Sequence, residues 1–149
     1  MGIENEIKGR FRNEYHKGMI NLVYTVNQLG YQFRQTLKSH GISEPQYNVL
    51  RVLRGFRSEC PVSIGFLKER MLDKSSDVSR IVDNLFAKGL IDRKENPLDR
   101  RQKEVDITGK GLELLSEMIE CDKKADLLIA KLTLEEVVEL NRLLDKIRG

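Results

Sequence analysis

The stretch SSDVSRIVDNLFAKGLIDRKENPLDRRQKEVDIT, residues 75–108, decides how the chain folds. Val78, Ile81, Val82 and Leu85 recur at helical spacing and form an apolar stripe. Ser75 or Ser76 stands where a hydroxyl can accept from an orphan amide of the first turn. Gly89 then offers a left-handed stop, and Leu90 and Ile91 open a strand that turns polar at Asp92 and Arg93. Val105 and Ile107 supply the alternating return strand. Between the strands, Asn96-Pro97 and the run Asp99, Arg100, Arg101 make a turn carrying two adjacent guanidinium groups. The local pattern is therefore one short amphipathic helix followed by a tight basic hairpin.

Ser76, Asp77, Ser79, Arg80, Asn84 and Lys88 fall largely off the apolar stripe. Their side chains can bond to phosphates or base edges if the helix enters a major groove. A solvated helix face would have the same composition, and it is the hairpin that gives this one a direction. Arginine suits a hairpin tip because its charge persists and its planar fork binds phosphate or enters a narrow groove. Within the helix, Asp77 suits the positive end and Ser79 a local backbone bond, whereas Arg80 suits phosphate or guanine.

Helix followed by hairpin resembles the MarR family of winged-helix transcriptional regulators. The resemblance spans residues 13–143 and is densest in VSRIVDNLFAKGLIDRKENPLDRRQKEVDIT. Its specificity lies in the long wing match together with the preceding L-x-x-K-G-L-I segment. It implies a mainly α fold with a small antiparallel β wing, a winged helix-turn-helix with N- and C-terminal dimerisation helices. Residues 76–88 would be the recognition helix and Arg101 the wing-tip residue directed to the minor groove. Asp99 would orient the wing through a salt bridge, and Arg100 matches a variable but often basic position.

Outside this stretch the chain reads as helical. Residues 14–38 carry Met19, Leu22, Val23, Val26, Leu29, Phe33 and Leu37 along one side. Ser43 and Gln46 form a capping-box pair around Pro45, and residues 63–70 read as the first helix of a helix-turn-helix, with Lys68 or Arg70 within reach of phosphate. Gly109 and Gly111 are expected to loosen the junction after the wing. A long helical pattern then runs from Leu112 to Leu132, and Thr133 with Glu136 starts a C-terminal helix. The expected organisation is a single domain over 1–149, with a winged-helix core at 43–107 and dimerisation helices at 11–38 and 109–148.

Composition limits the partners. The chain has 149 residues, 40% hydrophobic and 33% charged, which suits one compact soluble domain. A formal net charge of +3 permits anion binding without announcing it, but Lys74, Arg80, Lys88, Arg93, Lys94, Arg100, Arg101 and Lys103 crowd the helix and hairpin. The expected partners are double-stranded DNA and a second copy of the chain. No stretch is apolar enough to cross a bilayer, residue 6 is Glu rather than the hydroxylic residue of a myristoylation signal, and a cytoplasmic location without membrane contact is expected.

Cys60 and Cys121 form no disulfide framework and read as reduced thiols. Peroxide-sensing relatives carry a cysteine near the start of the first long helix, where this chain has Glu14, Tyr15 and His16. His16 and His40 join no compact ligand cluster, so neither a metal nor another cofactor is expected. No motif sets a nucleophile beside a base; Ser43 and Glu44, near His40, are explained as a helix start, and an enzyme is not expected. The family resemblance implies a small aromatic or anionic effector, with Tyr15, His16, Met19, Tyr47 and Arg51 as candidate contacts. The alternative is a winged-helix module whose basic surface binds an acidic protein instead of DNA.

Overall fold

A computed structural model describes residues 1–149, the side chains of Cys121 and Ala125 excepted. The pairing of Cys121 and the apolar position of Ala125 in the helical pattern therefore lie outside the described residues. The chain opens with α1 (Ile3–Glu6) and the long α2 (Glu14–Ser39). There follow α3 (Glu44–Gly55), a 3-10 turn (Arg57–Glu59), β1 (Val62–Ser63), α4 (Ile64–Glu69) and α5 (Val78–Ala87). The wing strands β2 (Ile91–Glu95) and β3 (Lys103–Ile107) lead into α6 (Gly109–Glu117), α7 (Ile119–Ile129) and α8 (Leu134–Arg148). Two compact units result: residues Arg34–Lys124, and Met1–Phe33 together with Ala125–Gly149.

In the unit Arg34–Lys124 each boundary has a chemical cause. Gly41, at φ +71°, closes α2 with Ile42 donating back to the Leu37 carbonyl at 3.1 Å. Ser43 caps α3 as expected: its Oγ accepts from the Gln46 amide at 3.3 Å while Gln46 Oε1 accepts from the Ser43 amide at 3.1 Å. Ser63 caps α4 through the Phe66 amide at 3.0 Å. Gly89, at φ +73°, ends α5 in a Schellman turn, with the Leu90 amide donating to the Leu85 carbonyl at 3.0 Å.

The sheet has the order β1-β3-β2 and is antiparallel throughout. Val105 faces Arg93 on one side and Val62 on the other, so the wing is a hairpin extended by a two-residue third strand. Its inward residues Val62, Ile91, Val105 and Ile107 join Leu50, Leu53, Leu67, Val82 and Leu85 in the core. Val78 is buried as well, whereas Ile81 is only half-buried. Asn48, also buried, holds the turn before α5 by accepting from the Leu72 amide at 2.8 Å.

Two sequence expectations are corrected here. Gly109 and Gly111 do not loosen the chain, because Thr108 caps α6 and its Oγ1 accepts from the Gly111 amide at 3.1 Å. Gly111 is instead a site of close approach, where a Cβ would overlap the Leu90 carbonyl oxygen. The long pattern after the wing is also interrupted, α6 ending with Met118 as its C-cap before α7 begins.

The unit of terminal residues is built differently. Thr133 and Glu136 make the expected capping box of α8, with bonds of 3.2 and 2.8 Å. A Lys17–Glu4 ion pair joins α2 to α1; its hydrogen bond lowers the Glu4 carboxyl and raises the Lys17 ammonium. No described residue of α8 is buried. Met19, Val23 and Val26 of α2, one apolar stripe by spacing, are each more than half exposed.

Candidate nucleic-acid interface

The turn between α4 and α5 is stitched before any partner arrives. Lys74 donates to the Glu69 carbonyl at the end of α4 and reaches the Lys68 carbonyl at 3.5 Å. Asp73 accepts from the Ser75 amide at 2.9 Å and the Ser75 hydroxyl at 2.6 Å, and these bonds hold its carboxyl below the ordinary aspartate range. Arg70 lies over Phe66, 3.5 Å from the ring centroid, and donates to the Phe66 carbonyl at 3.0 Å. This guanidinium, expected within reach of phosphate, is occupied by packing.

The N-cap of α5 is Asp77 rather than Ser75 or Ser76: Asp77 Oδ1 accepts from the Arg80 amide at 3.3 Å. Ser75 serves Asp73, and the Ser76 Oγ is buried with no hydrogen-bond partner among the described residues. Ser79, Arg80, Asp83 and Asn84 are exposed along the outer side of α5. Lys88, at the C-cap, turns inward and donates to the Gly41 carbonyl and to Gln46 Oε1, the latter at 3.2 Å. The end of the helix is thus tied to the α2–α3 turn.

Helix and wing are locked together by Arg93. Its guanidinium pairs with Asp83 of α5 and lies 4.6 Å from the centroid of the Phe86 ring. At the tip, the Asn96 amide donates to the Gln102 carbonyl at 2.8 Å. Asp99 Oδ1 accepts from the Arg101 amide at 3.0 Å, so its carboxylate braces the backbone that carries Arg101. Lys94, Arg100 and Arg101 are exposed, and among the described residues their side chains, like that of Arg80, enter no hydrogen bond or ion pair. Free cations stand on the helix and on the wing, while Lys74, Lys88 and Arg93 position the backbone between them.

The remaining expected site residues are divided between the two units. Tyr15 and Met19 are exposed on α2, and His16 closes the start of that helix, its Nδ1 accepting from the Arg12 amide at 3.2 Å. On α3, Arg51 is exposed, but Tyr47 is 4% exposed and its hydroxyl donates to Asp122 at 2.6 Å. Burial and then the Asp122 carboxylate push that phenol well above its ordinary pKa. Burial and the neighbouring Asp106 raise the Cys60 thiol to about 11, which favours its protonated form. His40 lies between the Thr36 carbonyl, 2.9 Å from Nδ1, and Glu117, 3.4 Å from Nε2.

Among the described residues, no group of three or more histidines, cysteines or carboxylates gathers to hold a metal, and no helix is long and apolar enough to cross a membrane. The internal roles of Lys88, Arg93 and Arg70 escaped the sequence.

A supporting helix, a tight turn, an exposed helix and a braced basic hairpin together define a winged helix-turn-helix. A MarR family model matches residues 40–102. The HTH-type transcriptional regulator MhqR of Bacillus subtilis (strain 168) is 30% identical over 112 residues, covering 74% of this chain and 75% of that protein. This chain belongs to the MarR family of winged-helix regulators. The fold agrees with the S. aureus MepR–DNA complex, at TM-score 0.74 and 22% identity over 93% of this chain and 97% of that one. It also agrees with Bordetella bronchiseptica BpsR, whose DNA binding is regulated by 6-hydroxynicotinic acid, at TM-score 0.71 and 23% identity over 89% and 99% of the chains.

Proposed function

We propose that the protein is a homodimeric transcriptional repressor that binds a pseudo-palindromic duplex and is released by a small aromatic or anionic ligand. The observation that carries this reading is the distribution of cations. Arg80 on α5 and Lys94, Arg100 and Arg101 on the wing are exposed without internal partners, whereas Lys74, Lys88 and Arg93 are bound within the chain. Free arginines on a helix and on an adjoining hairpin suit phosphates on the two sides of one groove edge. In this reading α5 enters the major groove, where Ser79, Arg80 and Asn84 make contact. Asp77 and Lys88 fix the two ends of the helix, Ser76 stands beside its start, and Asp99 orients the wing that carries Arg100 and Arg101.

Dimerisation is supported by the apolar residues left in water on α2 and α8, within the helical segments 11–38 and 109–148 that flank a winged core at 43–107. A two-fold dimer presents two copies of α5, which calls for half-sites about one helical turn apart. For the effector, Tyr15, Met19 and Arg51 offer a ring, a thioether and a guanidinium, each exposed. His16 and Tyr47 already hold hydrogen bonds that a ligand would have to replace.

Selection of bound duplexes from a randomised library at controlled salt tests the reading. Enrichment of a pseudo-palindrome, lost with Arg80→Ala and Arg101→Ala, is the expected result. Binding without any sequence enrichment would sink it. Aromatic carboxylic acids should then release the selected duplex, and an affinity unchanged across a panel of them would remove the effector from the proposal.

A further inference from the structure

The wing tip carries a side chain that charge does not explain. Leu98 is 97% exposed, more so than any other large apolar residue among those described. Its backbone is nevertheless held: the Leu98 amide donates to Asn96 Oδ1 at 2.9 Å, and the Gln102 amide closes the loop on the Asp99 carbonyl at 3.0 Å. Single exposed leucines are commonplace on protein surfaces and need no explanation by themselves. This one stands on a hydrogen-bonded hairpin tip, followed after Asp99 by Arg100 and Arg101, both free of internal partners among the described residues, while Asp99 is turned to the Arg101 amide. An apolar point sharing one hairpin tip with two guanidiniums fits a narrow channel with anionic edges and a greasy lining.

A duplex minor groove has that chemistry. Its edges are phosphates and its walls are deoxyribose C–H surface. The floor of an A·T pair presents only acceptors and the flat adenine edge, whereas a G·C pair projects the guanine amino group into the channel. Narrow A·T grooves concentrate negative potential and draw arginine. Leucine is among the apolar residues that proteins place in the minor groove, commonly as wedges between base steps. Resting on the DNA-binding reading above, we infer that Leu98 is a third wing contact, packing into the minor groove beside Arg100 and Arg101. It makes the wing select A·T over G·C pairs in the sequence flanking each half-site.

The test measures anisotropy with the selected operator in three forms, its wing-contacted flank written as A·T, G·C or inosine·C pairs; inosine lacks the projecting amino group. Wild-type protein should bind the A·T form about tenfold tighter than the G·C form, with inosine·C restoring most of the loss. Leu98→Ala should lose about fivefold on the A·T form and bring the A·T to G·C ratio near twofold. The salt slope should not change, because no phosphate contact is removed. Arg101→Ala, by contrast, should weaken all three forms and flatten the slope by about one. Leu98 is exposed, so folding is not at stake, and Leu98→Asn should behave as Leu98→Ala does. If Leu98→Ala keeps the wild-type affinities and ratios while the operator is still bound, the leucine contact is wrong and the DNA-binding reading stands. If wild-type protein selects no duplex at all, both fall together.

Discussion

In the unit Arg34–Lys124, Leu50, Leu53, Leu67, Val82, Leu85 and Val105 are each 0% exposed. In the unit of terminal residues, Met19, Val23, Val26, Val138 and Ile147 are each more than half exposed. Helices of both units carry apolar residues along one side, so helical periodicity alone does not separate them. One unit finds its burial inside a single chain. The other leaves apolar surface in water, where each buried square ångström would be worth about 25 cal/mol. The difference places the core in the winged unit and is what the proposed dimer would put to use in the terminal helices, and it can be broken at either end.

The largest effect is expected in the buried unit. Leu85→Ala removes a fully buried side chain of α5 and should lower unfolding free energy by about 2–5 kcal/mol in urea denaturation, at every protein concentration. The matching experiment in the other unit is Val138→Asp, which puts a charge on exposed α8. It should weaken the dimer by about 2 kcal/mol or more in sedimentation equilibrium. The intrinsic stability of the winged unit should be unaffected. A Val138→Asp protein that stays dimeric at submicromolar concentration would take α8 out of the interface.

Gly111→Ala ranks next. The added Cβ would meet the Leu90 carbonyl and the Ile107 side chain, and neither backbone nor packed strand can yield freely. A loss of about 1–3 kcal/mol is expected, read as a lowered denaturation midpoint. Gly109→Ala, two residues earlier, meets nothing and should cost less than about 0.5 kcal/mol. Equal effects at the two positions would show that the α6 junction is the loose connection its glycines suggested.

Those glycines show where the sequence was legible and where it was not. Periodicity exposed α5, the wing strands and both capping boxes, because each is specified by residues close in sequence. Strand β1 escaped, since Val62 and Ser63 are too few to alternate, and only their pairing with Val105 and Glu104 makes them a strand. The break at Met118 escaped because the apolar spacing runs on across it. Gly111 was misread because the atom that forbids a side chain, the Leu90 carbonyl oxygen, lies on another element. Position on the helix makes Lys88 a candidate DNA contact, but its hydrogen-bond partners Gly41 and Gln46 belong to a turn far back in the chain and leave no trace near it in sequence. Local chemistry was readable, and long-range partners were not.

The smallest effect concerns the start of α5, where sequence and structure assign the cap to different residues. Asp77 accepts from the Arg80 amide, so Asp77→Ala leaves that donor unpaired and should cost about 1 kcal/mol. Ser76 is the opposite case. Its hydroxyl is buried without a hydrogen-bond partner among the described residues, and an unsatisfied buried hydroxyl is itself a penalty. Ser76→Ala should therefore be neutral or raise the denaturation midpoint slightly, even though serine is the residue that propensity would choose as the cap. Reversed signs, with Ser76→Ala costing about 1 kcal/mol and Asp77→Ala nothing, would move the helix start one residue back. That shift would add one residue to the start of α5 without turning it, because the buried Val78, Val82 and Leu85 fix which side faces inward and so keep Ser79, Arg80 and Asn84 on the outer surface.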